Sequence, residues 1–127
     1  GGILTIIAFG AFGKHAKNII PIFIGVFLAS TLFSLIPGTS IPAPGALTPV
    51  LAALFGTTLA PIAGEYGWLA GIIAGFVHMV AVVNTAYLHG GMDLYNNGFT
   101  GGLVAACLVP IIDGLIKGKR KLAKANN

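Results

Sequence analysis

Charge is what this sequence has least of. Ten of its 127 residues are charged, seven basic and three acidic, or 8%, against about 25% in an ordinary soluble domain. A water-facing globule of this length would carry roughly thirty charged side chains at that average, so a soluble domain is excluded. Disorder is excluded for the opposite reason: 56% of the residues are hydrophobic, whereas disordered chains are poor in apolar residues and rich in charge. The single cysteine, Cys107, cannot form an intrachain disulfide, so a secretory disulfide framework is excluded. The basic C-terminal stretch contains no aromatic residue, whereas a nucleic-acid surface would interleave the two, so no nucleic-acid partner is expected. No Gly-x-Ser-x-Gly elbow, P-loop or dinucleotide-binding glycine pattern occurs, and hydrolase or nucleotide chemistry is not expected. His78, His89 and Asp93 lack any recognised ligand spacing, so neither a metal nor another cofactor is expected. No Met and no basic n-region precede the apolar run of residues 1–12, so it does not read as a signal peptide. The chain is expected to be a piece of a longer protein. What remains is an integral membrane protein, with a mean hydropathy of +0.93.

Charge also partitions the chain, being absent from residues 18–64, 66–92 and 94–112. A helix needs about 20 residues to cross a hydrocarbon core of about 30 Å. Residues 19–36 approach that length, with Pro21 near the start, where a missing N–H costs little, and Pro37-Gly38 as a stop. Residues 37–49 carry four prolines and predict an extended, non-cytoplasmic loop. Residues 50–63 are apolar but short, interrupted by Thr57-Thr58 and Pro61, and suit a re-entrant or broken helix. Residues 68–87 form a second strong span. Gly67, Gly71 and Gly75 recur on one face of it, either for close helix packing or because glycine is common in membrane helices. Glu65, Tyr66 and Trp68 suit an interfacial belt. Asn96-Asn97-Gly98 reads as a turn and N-cap, followed by a short helix over residues 99–112.

Five of the seven basic residues lie in the last eleven positions, and the other two, Lys14 and Lys17, flank His15. Placing both groups on the cytoplasmic side requires an even number of crossings between them. Either all four apolar segments cross, or residues 19–36 and 68–87 cross while the two short segments dip in and return. The second is preferred. The fold class expected is an all-α polytopic integral membrane helix bundle with short re-entrant or broken helices. Residues 1–116 form the membrane domain and residues 117–127 a basic cytoplasmic tail, in a multi-pass protein of the inner membrane.

The residues that could carry chemistry cluster after the second strong span. Asp93 marks a pathway if it lies at membrane depth, where an unpaired carboxylate is expensive, and is a solvated loop acid if it lies outside. His89, four residues earlier, reaches it through a helix only if Gly90-Gly91 allow one. Asn84, Thr85, Asn96, Asn97 and Thr100 supply neutral hydrogen-bonding groups, either to a solute or to helix caps and a buried turn. Thr57 and Thr58 add hydroxyls from the first short segment. His78 lies inside the second span, where a helix–helix hydrogen bond is the ordinary explanation and a proton relay the sharper one.

Three blocks, GKHAKNIIPIFIGV, LAALFGTTLAPIAGEYGW and LHGGMDLYNNGFTGGLVAACLVPII, occur in that order. Together they resemble the C-terminal part of an uncharacterised bacterial family of multi-spanning membrane proteins, domain of unknown function 1576, over residues 10–113. The resemblance implies a fragment of a longer membrane protein and no substrate. The block at residues 95–99 is also similar, at the level of fold analogy only, to the Asn-Gly turns before pore helices in urea-type channels.

The function expected is that of a transporter or channel for a small polar solute or ion, its pathway lined by Asp93, His89, Asn84, Asn96, Asn97, Thr57 and Thr58. The alternative is a non-transporting structural or assembly subunit, and the third reading an intramembrane enzyme; a catalytic role is not the expectation. The partners expected are the lipid bilayer, the solute or ion, and a second copy of the chain in a homo-oligomer.

Overall fold

A computed structural model describes residues 2–11, 13–90 and 93–125; it is all-α, with no strand among the described residues. Six helices follow in order: α1 (Gly2–Ala11), α2 (Ala16–Ser34), α3 (Leu47–Gly56), α4 (Ala60–Tyr66), α5 (Trp68–Thr85) and α6 (Asp93–Ala125). A 3₁₀ turn, Thr57–Leu59, joins α3 to α4, and a second, Ala86–His89, follows α5.

Four segments are long and apolar enough to cross a membrane: Ala16–Ser34, Leu47–Tyr66, Trp68–Leu88 and Tyr95–Lys124. Both segments expected to be short are therefore long, and length does not argue for re-entry. The first gains residues at each end. Its helix starts at Leu47, with Pro49 in the first turn rather than in the preceding loop, and Pro61 occupies the first turn of α4, where its missing N–H breaks no bond. The expected break at Thr57-Thr58 is present as the 3₁₀ turn. The second gains residues at both ends, more at its C-terminal end. Asn96-Asn97-Gly98, expected to form a turn and cap, lie inside α6, which begins at Asp93 and runs through Pro110 to Ala125. At 1.5 Å per residue its 33 residues measure about 50 Å, and the basic residues 117–124 lie on its last turns. Pro21 also differs from expectation, since α2 starts three residues earlier and holds it as an internal residue.

The segments alternate in direction. Asn18 at the start of α2 lies beside Gly64 near the end of α4, while the Ser30 hydroxyl near the end of α2 donates to the Pro42 carbonyl ahead of α3. α5 then runs parallel to α2: Pro21 meets Gly71, Ile22 meets Gly75 and Gly25 meets Ile72, and the Phe33 and Phe76 rings lie 5.9 Å apart. α6 returns antiparallel to α5, with Thr100 bonded to Thr85 and Asp113 reaching Tyr66. Of the glycine stripe, Gly71 and Gly75 pack as expected. Gly67, at φ +90°, is instead the single-residue link that turns α4 into α5, a conformation that favours glycine.

The core mixes a few larger side chains, Ile22, Val26, Met79 and Val82 among them, with many small ones. Ala29, Ala52, Ala53, Ala60, Ala63, Ala70 and Ala74 are buried, while Leu28, Leu32, Leu54, Leu69, Ile73, Leu103, Ile111 and Leu115 face outward. A soluble protein would bury most of those leucines and isoleucines. In lipid, where leucine gains nothing by leaving the acyl chains, close packing of small residues holds the helices together.

Candidate functional site at the helix break

The break in the second segment lies near its middle, Thr57 and Thr58 being its eleventh and twelfth residues of 20. Two hydroxyls tighten it: Thr57 donates to the Leu54 carbonyl at 2.7 Å and Thr58 to the Phe55 carbonyl at 3.0 Å. Both are bonds to the preceding turn, of the kind that 3₁₀ geometry accommodates. The two side chains then point to different neighbours. The Lys14 Nζ donates to Thr57 Oγ1 at 3.5 Å, and Lys14, Ile19, Phe23, Leu54 and Thr57 line a cleft of about 190 Å³. Burial holds the Lys14 ammonium below the ordinary lysine pKa. Thr58 Oγ1 instead approaches Gly101 of α6, where a Cβ would stand 3.1 Å from it.

His78 faces the break from α5. It is the eleventh of the 21 residues in the segment Trp68–Leu88, about 15 Å from either end, and it is fully buried. Its ring packs against two glycines: a Cβ at Gly56 would lie a tight 3.0 Å from Cδ2, and one at Gly101 would lie in ordinary contact at 4.0 Å from Cε1. The Asn97 side chain of α6 faces the ring. Asn97 interacts with the imidazole across the α5–α6 contact, the helix–helix pairing expected for His78, although neither ring nitrogen meets ordinary hydrogen-bond geometry among the described residues.

One turn away toward the loop end, the polar groups are closed on one another. Asn96 Nδ2 donates to the Val82 carbonyl at 2.7 Å, which turns its Oδ1 toward Thr85. The Thr85 hydroxyl lies 2.6 Å from that Oδ1, 2.8 Å from the Ala81 carbonyl and 2.9 Å from Thr100 Oγ1. With one proton to give and lone pairs to accept, Thr85 takes the Thr100 proton and shares its own between the other two. Asn96, Asn97 and Thr100 are all buried. The spacing 96/100 and 97/101 explains the division: on a helix, Asn96 and Thr100 share one face, toward the end of α5, while Asn97 and Gly101 share the next, toward His78.

The expected site is thus brought together only in part. Asn97 and Thr58 converge on the contact of α5 and α6 with the break, Asn96 sits one turn away toward the loop end of α5, and Thr57 lies on the other side of the break. Asn84 is elsewhere. It is exposed, its Nδ2 donates to the Val80 carbonyl at 2.7 Å, and it lines a cleft of about 220 Å³ with Phe33, Thr39 and Ile41. The side chains of His89 and Asp93 lie outside the described part of the structure. Their backbones belong to different elements, His89 ending a 3₁₀ turn followed by Gly90 at φ +59° and Asp93 starting α6. The residues missed were His78 as a site residue, the joint role of Thr85 and Thr100, and Lys14. The i, i+4 spacing of Asn96 with Thr100 was the available signal, hidden by reading Asn96 as a cap. Among the described residues no group of three or more His, Cys, Asp or Glu could hold a metal ion.

The family model described as "Protein of unknown function (DUF1576)" matches residues 1–114 of this chain. No curated protein and no solved structure matches it.

Proposed function

We propose that this chain, which belongs to the DUF1576 family of proteins of unknown function, is the part of a multi-pass membrane protein that conducts a small polar solute or ion. The observation that carries the proposal is the helix break at Thr57–Leu59 standing beside the fully buried imidazole of His78, which the Asn97 side chain of α6 faces. Transporters place substrate groups at discontinuous helices near the bilayer midplane, and polar side chains retained at that depth usually serve a path. His78, Asn97 and Thr58 would line the narrow part of this path and offer neutral donors and acceptors to a solute that has shed its water. The reading includes no catalytic step. It places the end holding Lys14, Lys17 and the Lys117–Lys124 turns in the cytoplasm, by the excess of basic residues there, and the protein in an inner membrane.

The flux test uses the full-length protein in liposomes, with glycerol, urea, K⁺ and Cl⁻ as probes. At least one of the four is expected to cross ten times faster than in protein-free liposomes. His78→Leu and Asn97→Ala are each expected to cut that flux at least tenfold while helicity is retained. Failure of all four probes, or wild-type flux in both variants, overturns the proposal. A structural or assembly subunit is the second reading. The closed network of Asn96, Thr85 and Thr100 favours it, because those groups satisfy one another and bind α5 to α6 without a solute.

A further inference from the structure

Between the start of α5 and the C-terminal half of α6 the bundle opens into a groove of about 490 Å³, lined by Tyr66, Leu69, Ile73, Ile112, Ile116 and Lys119 among others. Leu108, Ile111, Ile112, Leu115, Ile116 and Lys119 repeat at three- and four-residue steps, so one continuous stripe of α6 forms a wall. The stripe is apolar until its last member, which is a lysine. The level of the bundle end is marked by Tyr66, whose hydroxyl donates to Asp113 Oδ1 at 2.9 Å. Lys119 stands six residues further along the helix, or about 9 Å. The headgroup regions add roughly 5–8 Å on each side of a 30 Å hydrocarbon core, so Lys119 reaches headgroup depth while Ile112 and Ile73 remain at acyl-chain depth. Lys117, Arg120, Lys121 and Lys124 surround it, and no acidic residue follows Asp113.

We infer that this groove is a binding site for an anionic phospholipid, with one acyl chain between α5 and α6 and the phosphate on Lys119. A neutral lipid would satisfy the apolar wall but leave the basic turn unmatched, and a soluble phosphate would match the lysine but leave the wall bare. Charge and apolar surface meet in one ligand, as in other basic pockets between membrane helices on the cytoplasmic side. The inference does not depend on solute conduction.

The test is native mass spectrometry of the full-length protein in detergent, titrated with phosphatidylglycerol or phosphatidylcholine of identical acyl chains. Phosphatidylglycerol is expected to bind at least fivefold more tightly. Lys119→Gln is expected to remove about fivefold of that affinity, equivalent to about 1 kcal/mol, whereas Lys124→Gln, one turn beyond the groove, changes it less than twofold. Ala70→Trp, which fills the groove, is expected to weaken both lipids, and millimolar glycerol phosphate to displace neither. Equal affinity for the two lipids, an equal effect of Lys119→Gln and Lys124→Gln, or displacement by glycerol phosphate would each overturn the site. So would a photo-crosslink from position 112 to another segment of the full-length protein, because the groove would then be filled by protein. Ala70→Trp is read only if it retains wild-type helicity; the lysine pair decides the matter without it.

Discussion

The crossing of α2 and α5 gives the sharpest test of the fold, because two glycines there meet backbone rather than side chains. A Cβ on Gly75 would stand 2.2 Å from the Ile22 carbonyl oxygen and one on Gly25 would stand 2.1 Å from that of Ile72, where ordinary contact begins at 3.4 Å. A backbone carbonyl inside a helix has no rotamer to change, so Gly75→Ala must push α2 and α5 apart by about 1.2 Å, and a gap of that size forfeits about half the dispersion energy of the contacts it opens. Overpacking costs about 1–3 kcal/mol, and the upper end applies where neither partner can yield. Alanine recovers about 1 kcal/mol of helix propensity, leaving a net loss of about 2 kcal/mol, or roughly thirtyfold in the unfolding equilibrium. Gly102 supplies the control. A Cβ there meets nothing within 4 Å, so Gly102→Ala keeps only the propensity gain and is expected to be neutral or stabilising. Reversible unfolding of the full-length protein in mixed micelles, followed by circular dichroism, measures both. If Gly75→Ala and Gly102→Ala agree within about 0.5 kcal/mol, the close backbone crossing is refuted.

Two further predictions follow from the charged end of the bundle. Lys14 has its folded-state pKa lowered by burial, so between the folded and unfolded values the unfolded chain binds more protons and stability rises with pH. Thermal unfolding of wild type against Lys14→Met, from pH 7 up to the ordinary lysine value near 10.5, is expected to show a rise in the wild type that the variant lacks; parallel curves would exclude it. Alternating crossings put residues 44 and 119 at opposite ends of the bundle. Single cysteines at Pro44 and Lys119, in a Cys107→Ser background of the full-length protein, are therefore expected to label with an impermeant thiol reagent from opposite sides, position 119 from the cytoplasm. Labelling of both from one side would refute the four-crossing arrangement.

The two strong spans were legible because each is a long charge-free apolar run with a stop signal, Pro37-Gly38 for α2 and the polar stretch after Val83 for α5. The ends of the other two were not. Asn96, Asn97 and Gly98 are poor helix formers and read locally as a turn, yet the bonds of Asn96 to Val82 and Thr85 hold them helical, a stabilisation that exists only when α5 is in place. Thr57-Thr58 and Pro61 were rightly seen as an interruption. Their hydroxyl bonds and first-turn position let the helix resume beyond them, which turns an apparently short segment into one of crossing length. Among the site residues, Asn96, Asn97 and Thr58 were legible as polar groups in apolar surroundings. The separation of Asn84 from them was not, because it depends on which face of α5 that residue occupies.

By itself, then, the sequence determined the solvent. A chain with ten charges in 127 residues cannot cover itself against water, and the long charge-free stretches between them mark where the membrane segments lie. Tertiary structure decided the partners. Glycine and alanine permit close approach without naming what approaches, and only the parallel crossing of α2 and α5 assigns Gly75 to Ile22 and Gly25 to Ile72. It likewise turns His78 toward the break at Thr57–Leu59, since an imidazole in a span has the same local preferences whether it faces lipid, a neighbouring helix or a path for a solute.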